Sequence, residues 1–246
     1  MSSPAAVKTP QEAVPATIVL MAKPPVPGKV KTRLIGNLNA QQAAQIHGAM
    51  LECTLERLRA IYGDPGHRRL VLCLASDVEP DGDRWASQRP ESARPWRIFD
   101  QGPGDLGQRM ARVWRAFGDG PVVFLGCDSP DVPREALEAI LTMLNCFDLV
   151  LGPAPDGGFW SLAARNLATG ILEGIDWGSA KVYHQTCRAA ERNGLTVGNV
   201  QDWPDVDTTA DLKALLERLE VSNLRTEPDL ERLRLQVQRA ADAPLP

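Results

Sequence analysis

Lys23, Lys29, Lys31 and Arg33 crowd into one short segment, MAKPPVPGKVKTRL, in which Pro24, Pro25 and Pro27 stiffen the backbone and Gly28 lets it turn. Cations at alternate positions on such a loop suit a diphosphate. Lys31 and Arg33 are therefore candidates for neutralising charge during a reaction, and Lys23, Gly28 and Lys29 for holding phosphate; a solvated basic turn is the competing reading. Asp128 and Asp131 stand three apart in GCDSPD, directly after the apolar run VVFLG. Carboxylates at a strand end suit Mg²⁺ or Mn²⁺, hard ions that bind oxygen and often share substrate phosphates. Asp131 could instead cap the helix that begins near Pro133, whereas Asp128 has no such local duty. Asp207, in DVDTTADL, either completes the metal site or caps a helix. In GPAPDGGFW, Asp156 is a candidate base for an acceptor hydroxyl, Gly157 and Gly158 would permit close approach to a ligand, and Trp160 offers a stacking face. A simple hairpin turn is the alternative there. Gly104 and Arg109, in QGPGDLGQRM, open a helix whose free amides could meet an anion.

Several chemistries lack their residues. There is no GxxxxGK[ST], no GxGxxG and no GxSxG, so P-loop, dinucleotide-binding and serine-hydrolase readings lose support. His47, His67 and His184 share no motif, and His47 and His184 fall in predicted helices as packing or surface residues. The five cysteines form no CxxC pair or zinc-like cluster and read as reduced, mostly buried thiols. A net charge of -4 and a pI near 5.5 argue against general nucleic-acid binding, which needs a basic face. The apolar run Thr17–Met21 is too short to span a membrane, and no signal-like segment precedes it, so a cytoplasmic location is expected.

Strands must deliver these loops. Thr17–Met21, Arg69–Ala75, Trp96–Phe99, Val122–Gly126, Asp148–Leu151, Gly158–Ala163 and Leu195–Val200 read as strands. Helices are expected from Asn39 to about Ile61, from Asp105 to Phe117, from Pro133 to Leu144, over Ser179–Asn193, and over Thr208–Glu220 with Thr208 and Asp211 in capping-box spacing. A last helix near Asp229–Ala241 carries Leu230, Leu233 and Val237, for packing against the domain or for contact with a second subunit. The alternation implies a doubly wound, mainly parallel sheet that gathers the loops along one edge. Residues 1–16 read as a disordered leader, 17–220 as the main domain and 221–246 as a helical extension; Asp77–Pro95 reads as a polar loop.

In order and spacing, the five segments MAKPPVPGKVKTRL, QGPGDLGQRM, GCDSPD, GPAPDGGFW and DVDTTADL closely resemble the bacterial DUF2064 proteins, a family grouped with glycosyltransferases of the nucleotide-diphospho-sugar transferase superfamily. The resemblance covers roughly Thr17 to Leu216. It implies a GT-A-like fold, a three-layer α/β/α sandwich with a mainly parallel sheet. It also implies Lys23, Lys31 and Arg33 as the phosphate-binding loop, Asp128 as the metal-binding aspartate of a DxD-like motif, and Asp207 as a second metal position. Two departures stand out: Cys127-Asp128-Ser129 replaces a common Thr-Asp-Cys, and Phe159-Trp160 occurs where a tyrosine is common. The expected activity is transfer from a nucleotide-sugar to a small-molecule acceptor with Mg²⁺ or Mn²⁺. The rival is nucleotidyl transfer, in which an NTP meets a phosphorylated small molecule and pyrophosphate leaves. A third reading is a nucleotide-binding regulator without turnover.

Overall fold

The computed structural model describes residues 15–63, 68–75, 90–167, 169–221 and 227–243. The expected leader falls almost wholly outside these residues, as does most of the expected loop from Asp77 to Pro95. Strand β1 (Ala16–Ala22) buries Ile18, Val19 and Leu20 completely. Consecutive burial means that both faces are covered, as in the middle of a parallel sheet. Ile18 and Leu20 pack with Leu51, Leu55 and Leu58 of helix α1 (Ala40–Tyr62). Val19 packs on the opposite side with Met110, Val113 and Phe117 of helix α2 (Leu106–Phe117). Those two clusters are the inner faces of an α/β/α sandwich, as the alternation of elements and the family resemblance both implied.

The remaining strands are β2 (Arg68–Leu74), β3 (Arg97–Asp100), β4 (Val122–Gly126), β5 (Leu149–Pro153), β6 (Phe159–Ala164) and β7 (Val197–Asn199). They form one seven-stranded sheet in the order β3-β2-β1-β4-β6-β5-β7, in which β6 runs antiparallel to both neighbours and the other pairings are parallel. The exception has a simple cause. Only residues 154–158 separate β5 from β6, closed by Ala154 N–H donating to Gly158 O at 3.1 Å, and so short a link permits a hairpin but no crossover. The order reverses between β1 and β4, which lie side by side with Met21 opposite Gly126. Loops leaving the carboxyl ends of those two strands therefore open at the topological switch point, where ligands bind in such sheets.

Local signals set the helix starts. Asn39 and Gln42 close a capping box at α1, and Asp105 and Gln108 close another at α2, with the backbone N–H to side-chain bonds at the two caps all between 2.8 and 3.2 Å. Helix α3 (Arg134–Met143) begins one residue later than expected, with Pro133 at the cap position, and α4 covers Val182–Arg192. Helix α5 (Thr209–Val221) starts as Thr208 and Asp211 predict, Thr208 N–H donating to Asp211 Oδ2 at 2.7 Å. In α6 (Pro228–Asp242), Leu230, Leu233 and Val237 pack with Ile46 and Met50 of α1 and with Leu212, Leu215 and Leu219 of α5. The stripe offered as a subunit contact is thus covered within the chain. Leu34 and Val206 join the same cluster, which ties the cationic loop and the segment before α5 to one apolar mass. No helix among the described residues is long and apolar enough to cross a membrane.

Arg57 of α1 joins elements distant in sequence: its buried guanidinium donates to Pro130 O and to Glu227 Oε2, each at 2.7 Å. Replacing it by Met strands both acceptors, and Arg57→Met is expected to lower stability by about 1–3 kcal/mol, read as a shift in the urea-unfolding midpoint.

Candidate functional site

The loop after β1 is anchored on both sides of Lys31, because Val30 and Leu34 are buried. Between them Lys31 takes the left-handed backbone (φ 46°, ψ 42°), a conformation that costs a residue with a Cβ on the order of 1 kcal/mol. This turn aims the two cations differently. Lys31 has a side chain only 4% exposed, whereas that of Arg33 is 73% exposed. Lys31 Nζ donates to Asp128 Oδ1, to Val206 O at 2.6 Å and to Asp207 Oδ1 at 3.3 Å. Arg33 NH1 donates to Asp207 Oδ2 at 3.2 Å. Val206 N–H donates to Asp128 O at 2.9 Å, so the ends of two distant segments are stitched together behind the charged groups.

Burial alone would push the Asp128 carboxyl up, but the ammonium of Lys31 outweighs it, with His47 adding to the effect, and the group titrates below its ordinary value. Burial would likewise lower Lys31, and Asp128 together with Asp207 holds it above the usual lysine value. Asp205 has no such cation; burial first, then Asp156 and Asp207, push it up to about 6.

A cleft of about 750 Å³ opens here, and among its walls stand Lys23, Lys29, Lys31, Arg33, Gly104, Arg109, Asp128 and Asp207. Eight residues singled out from sequence thus meet in one place. Gly28 lies outside the lining and serves the loop as its turn, with φ at 76°. Three oxygens, Asp128 Oδ1, Asp207 Oδ1 and Val206 O, converge on one cationic centre, which here is the Lys31 ammonium. The donors are the oxygens that Mg²⁺ or Mn²⁺ prefers, and an ion at that point would have to displace the ammonium.

Other expected site residues stand outside this lining. Asp131 lies away from the cleft and is buried; it accepts from Arg218 Nε at 2.7 Å, from Arg218 NH2 at 3.2 Å and from Trp203 Nε1 at 3.1 Å. Both oxygens are thus engaged in a buried ion pair with Arg218, outside the cleft. Asp156, Gly157 and Gly158 do not line the cleft either. Asp156 Oδ1 accepts from Gly158 N–H at 2.8 Å inside its own turn, and a Cβ on Gly157 would fall 2.1 Å from Ala180 O, so that glycine serves backbone packing. Trp160 is buried, with Nε1 donating to Gln201 O at 3.1 Å, and presents no stacking face to a ligand.

The cleft also contains residues that sequence reasoning passed over. His47 lines it, buried, with Nε2 bonded to Lys23 O at 3.0 Å. Its one sequence signal is a polar side chain set inside the apolar stripe of α1. Gln101 links three pieces: Nε2 donates to Ala22 O at 3.1 Å and Cys73 O at 2.8 Å, and Oε1 accepts from Arg109 NH1 at 3.0 Å. Trp177 lines the far wall, edge-on to Phe159 with ring centroids 6.2 Å apart.

Residues 59–179 match a family described as "Uncharacterized protein conserved in bacteria (DUF2064)". No curated protein matches the chain. A solved structure from Desulfovibrio desulfuricans G20, described as a "putative nucleotide-diphospho-sugar transferase", is 30% identical, with 92% of this chain and 97% of that chain covered and a TM-score of 0.76. Rv0371c from Mycobacterium tuberculosis H37Rv, in complex with manganese, is 19% identical over 83% of this chain and 99% of that one, with a TM-score of 0.50. A cytidylyltransferase from Leptospira borgpetersenii serovar Hardjo-bovis is 14% identical over 95% of this chain and 99% of that one, with a TM-score of 0.51. The latter two share the fold.

Lys31→Met removes the cation that outweighs burial at Asp128, and the carboxyl is then expected to titrate above its ordinary value. A carboxyl held low adds stability that is present above its unfolded value and lost as pH falls through its folded one; a carboxyl held high subtracts stability at neutral pH and returns it on acidification. The stability deficit of the variant, from urea unfolding, should therefore be largest near pH 7 and shrink towards about pH 4. A deficit independent of pH would show that Lys31 does not control Asp128.

Proposed function

The chain belongs to the DUF2064 family, and from that premise we propose that it is a transferase that takes a nucleotide-diphospho-sugar as donor and a small molecule as acceptor, with Mg²⁺ or Mn²⁺ held by Asp128 and Asp207. The observation that carries this reading is the convergence of two aspartates and a carbonyl on one positive charge, beside a lysine- and arginine-bearing loop at the switch point of the sheet. When bound, the metal would stabilise negative charge on the phosphate oxygens. The chain's own residues do the rest. Lys31 and Arg33 lie within reach of the same charge and would neutralise the nucleoside diphosphate as it departs, the largest electrostatic demand of the reaction. Lys23 and Lys29 extend the cationic wall along the loop. Across the cleft, Arg109 is held by Gln101 Oε1 and by Gly104 O, the latter at 2.9 Å from Nε, which orients a guanidinium for a phosphate at little entropic cost. Asp156 is the base offered for the acceptor hydroxyl: one of its oxygens accepts from Gly158 N–H and its charge reaches Asp205.

Incubation with Mg²⁺ or Mn²⁺ and a panel of nucleotide-sugars and nucleoside triphosphates tests the proposal. Release of a nucleoside diphosphate that depends on the sugar donor is the expected result, and Asp128→Asn or Asp207→Asn should lower that turnover by about a hundredfold or more. Pyrophosphate release that needs a phosphorylated acceptor would instead establish nucleotidyl transfer at the same site. Nucleotide binding with turnover unaltered in Asp128→Ala would leave a regulator.

A further inference from the structure

We propose that His47, Cys127 and Asp128 form a second cation site on this cleft, separate from the oxygen set and suited to a borderline divalent metal of the zinc and cobalt class. One ligand atom from each of the three lies within 4.8 Å of the others. His47 is prepared for that role. Its Nε2 faces Lys23 O at 3.0 Å, and because a carbonyl only accepts, Nε2 carries the proton and Nδ1 carries the lone pair. Nδ1 is buried and has no hydrogen-bond partner, in a side chain of a residue only 4% exposed. A buried acceptor left unmade costs free energy that a bound cation would recover. The contact from the other ring nitrogen to a backbone carbonyl is the support that metal-binding histidines usually have.

Cys127 supplies sulfur from just beyond the end of β4. It is as buried as His47, while the half-buried Asp128 connects both to the open cleft and so provides an entry path. Imidazole, thiolate and carboxylate together favour zinc-class ions, in contrast to the all-oxygen set of Asp128, Asp207 and Val206. Lys31 engages Oδ1 of Asp128, so for Asp128 to serve both sets its second oxygen would be the ligand here. On binding, the Cys127 thiol would give its proton to solvent and coordinate as thiolate, and three protein ligands would leave a fourth position for water. None of this depends on the transferase reading.

The test is titration of the full chain, freed of metal by chelation, with Co²⁺ as an optical probe. Thiolate-to-cobalt charge-transfer absorption is expected to saturate at one ion per chain, to vanish in Cys127→Ser, and to need about ten- to a hundredfold more metal in His47→Gln. Asp207→Asn should keep the absorption, because Asp207 belongs only to the oxygen set. Zn²⁺ should raise the unfolding temperature of the natural chain and not that of Cys127→Ser. Should His47→Gln fail to fold, the near-isosteric Cys127→Ser decides alone. Absence of the charge-transfer band, its persistence in Cys127→Ser, or its loss in Asp207→Asn would overturn the proposal.

Discussion

A single ammonium group, Lys31 Nζ, holds the carboxylates of Asp128 and Asp207 and the carbonyl of Val206 around one point, and the arrangement of the cleft follows from it. Two acidic side chains brought this close would repel each other and be costly to desolvate. With a buried cation between them the three groups form a cluster that keeps a net negative charge and whose geometry is defined before any ligand arrives. The loop bears a strained backbone at Lys31 to achieve this, and the buried side chains of Val30 and Leu34 on either side keep it from relaxing.

The sheet supplies the frame for that contact. Reversal of strand order between β1 and β4 leaves the ends of these strands adjacent, so that a lysine following one and an aspartate following the other can meet although they are 97 residues apart in sequence. The third participant comes from the segment before α5, which is held to β4 by the bond from Val206 N–H to Asp128 O and to the core by burial of Val206. Leu34 and Val206 share their apolar cluster with α1, α5 and α6. The terminal helix thereby supports the site indirectly, by supporting the mass against which both charged segments are braced.

Two donor sets meet at Asp128. One is made of oxygen alone, and the other adds the imidazole of His47 and the thiol of Cys127. Hard and borderline ions distinguish such sets by their chemistry rather than by distance. On the proposed reading, an aspartate at the end of a strand, half exposed and bordered by a buried histidine and cysteine, is a position where the choice of metal would be made by those two neighbours.

What residues reveal about themselves over a few positions was legible in the chain. Asn39 and Gln42, Asp105 and Gln108, and Thr208 and Asp211 announce helix starts because capping is a contact over three positions; the apolar run of β1 announces a strand covered on both faces because no polar residue interrupts it. The cationic loop and its acidic counterparts were legible for the same reason, as residue types clustered in short segments. Only the tertiary structure could separate Asp128 from Asp131, since the partner that claims Asp131 is Arg218, 87 positions away, and only it could move His47 from the helix packing to the cleft. It also placed Gly157 and Trp160 in the packing of a hairpin whose antiparallel course depends on a five-residue link and whose neighbours include Ala180 and Gln201. Side-chain type and spacing determine what chemistry a residue can do, whereas burial and long-range partners decide whether its lone pairs and charges are free to do it, and those partners are set by how the sheet is wound.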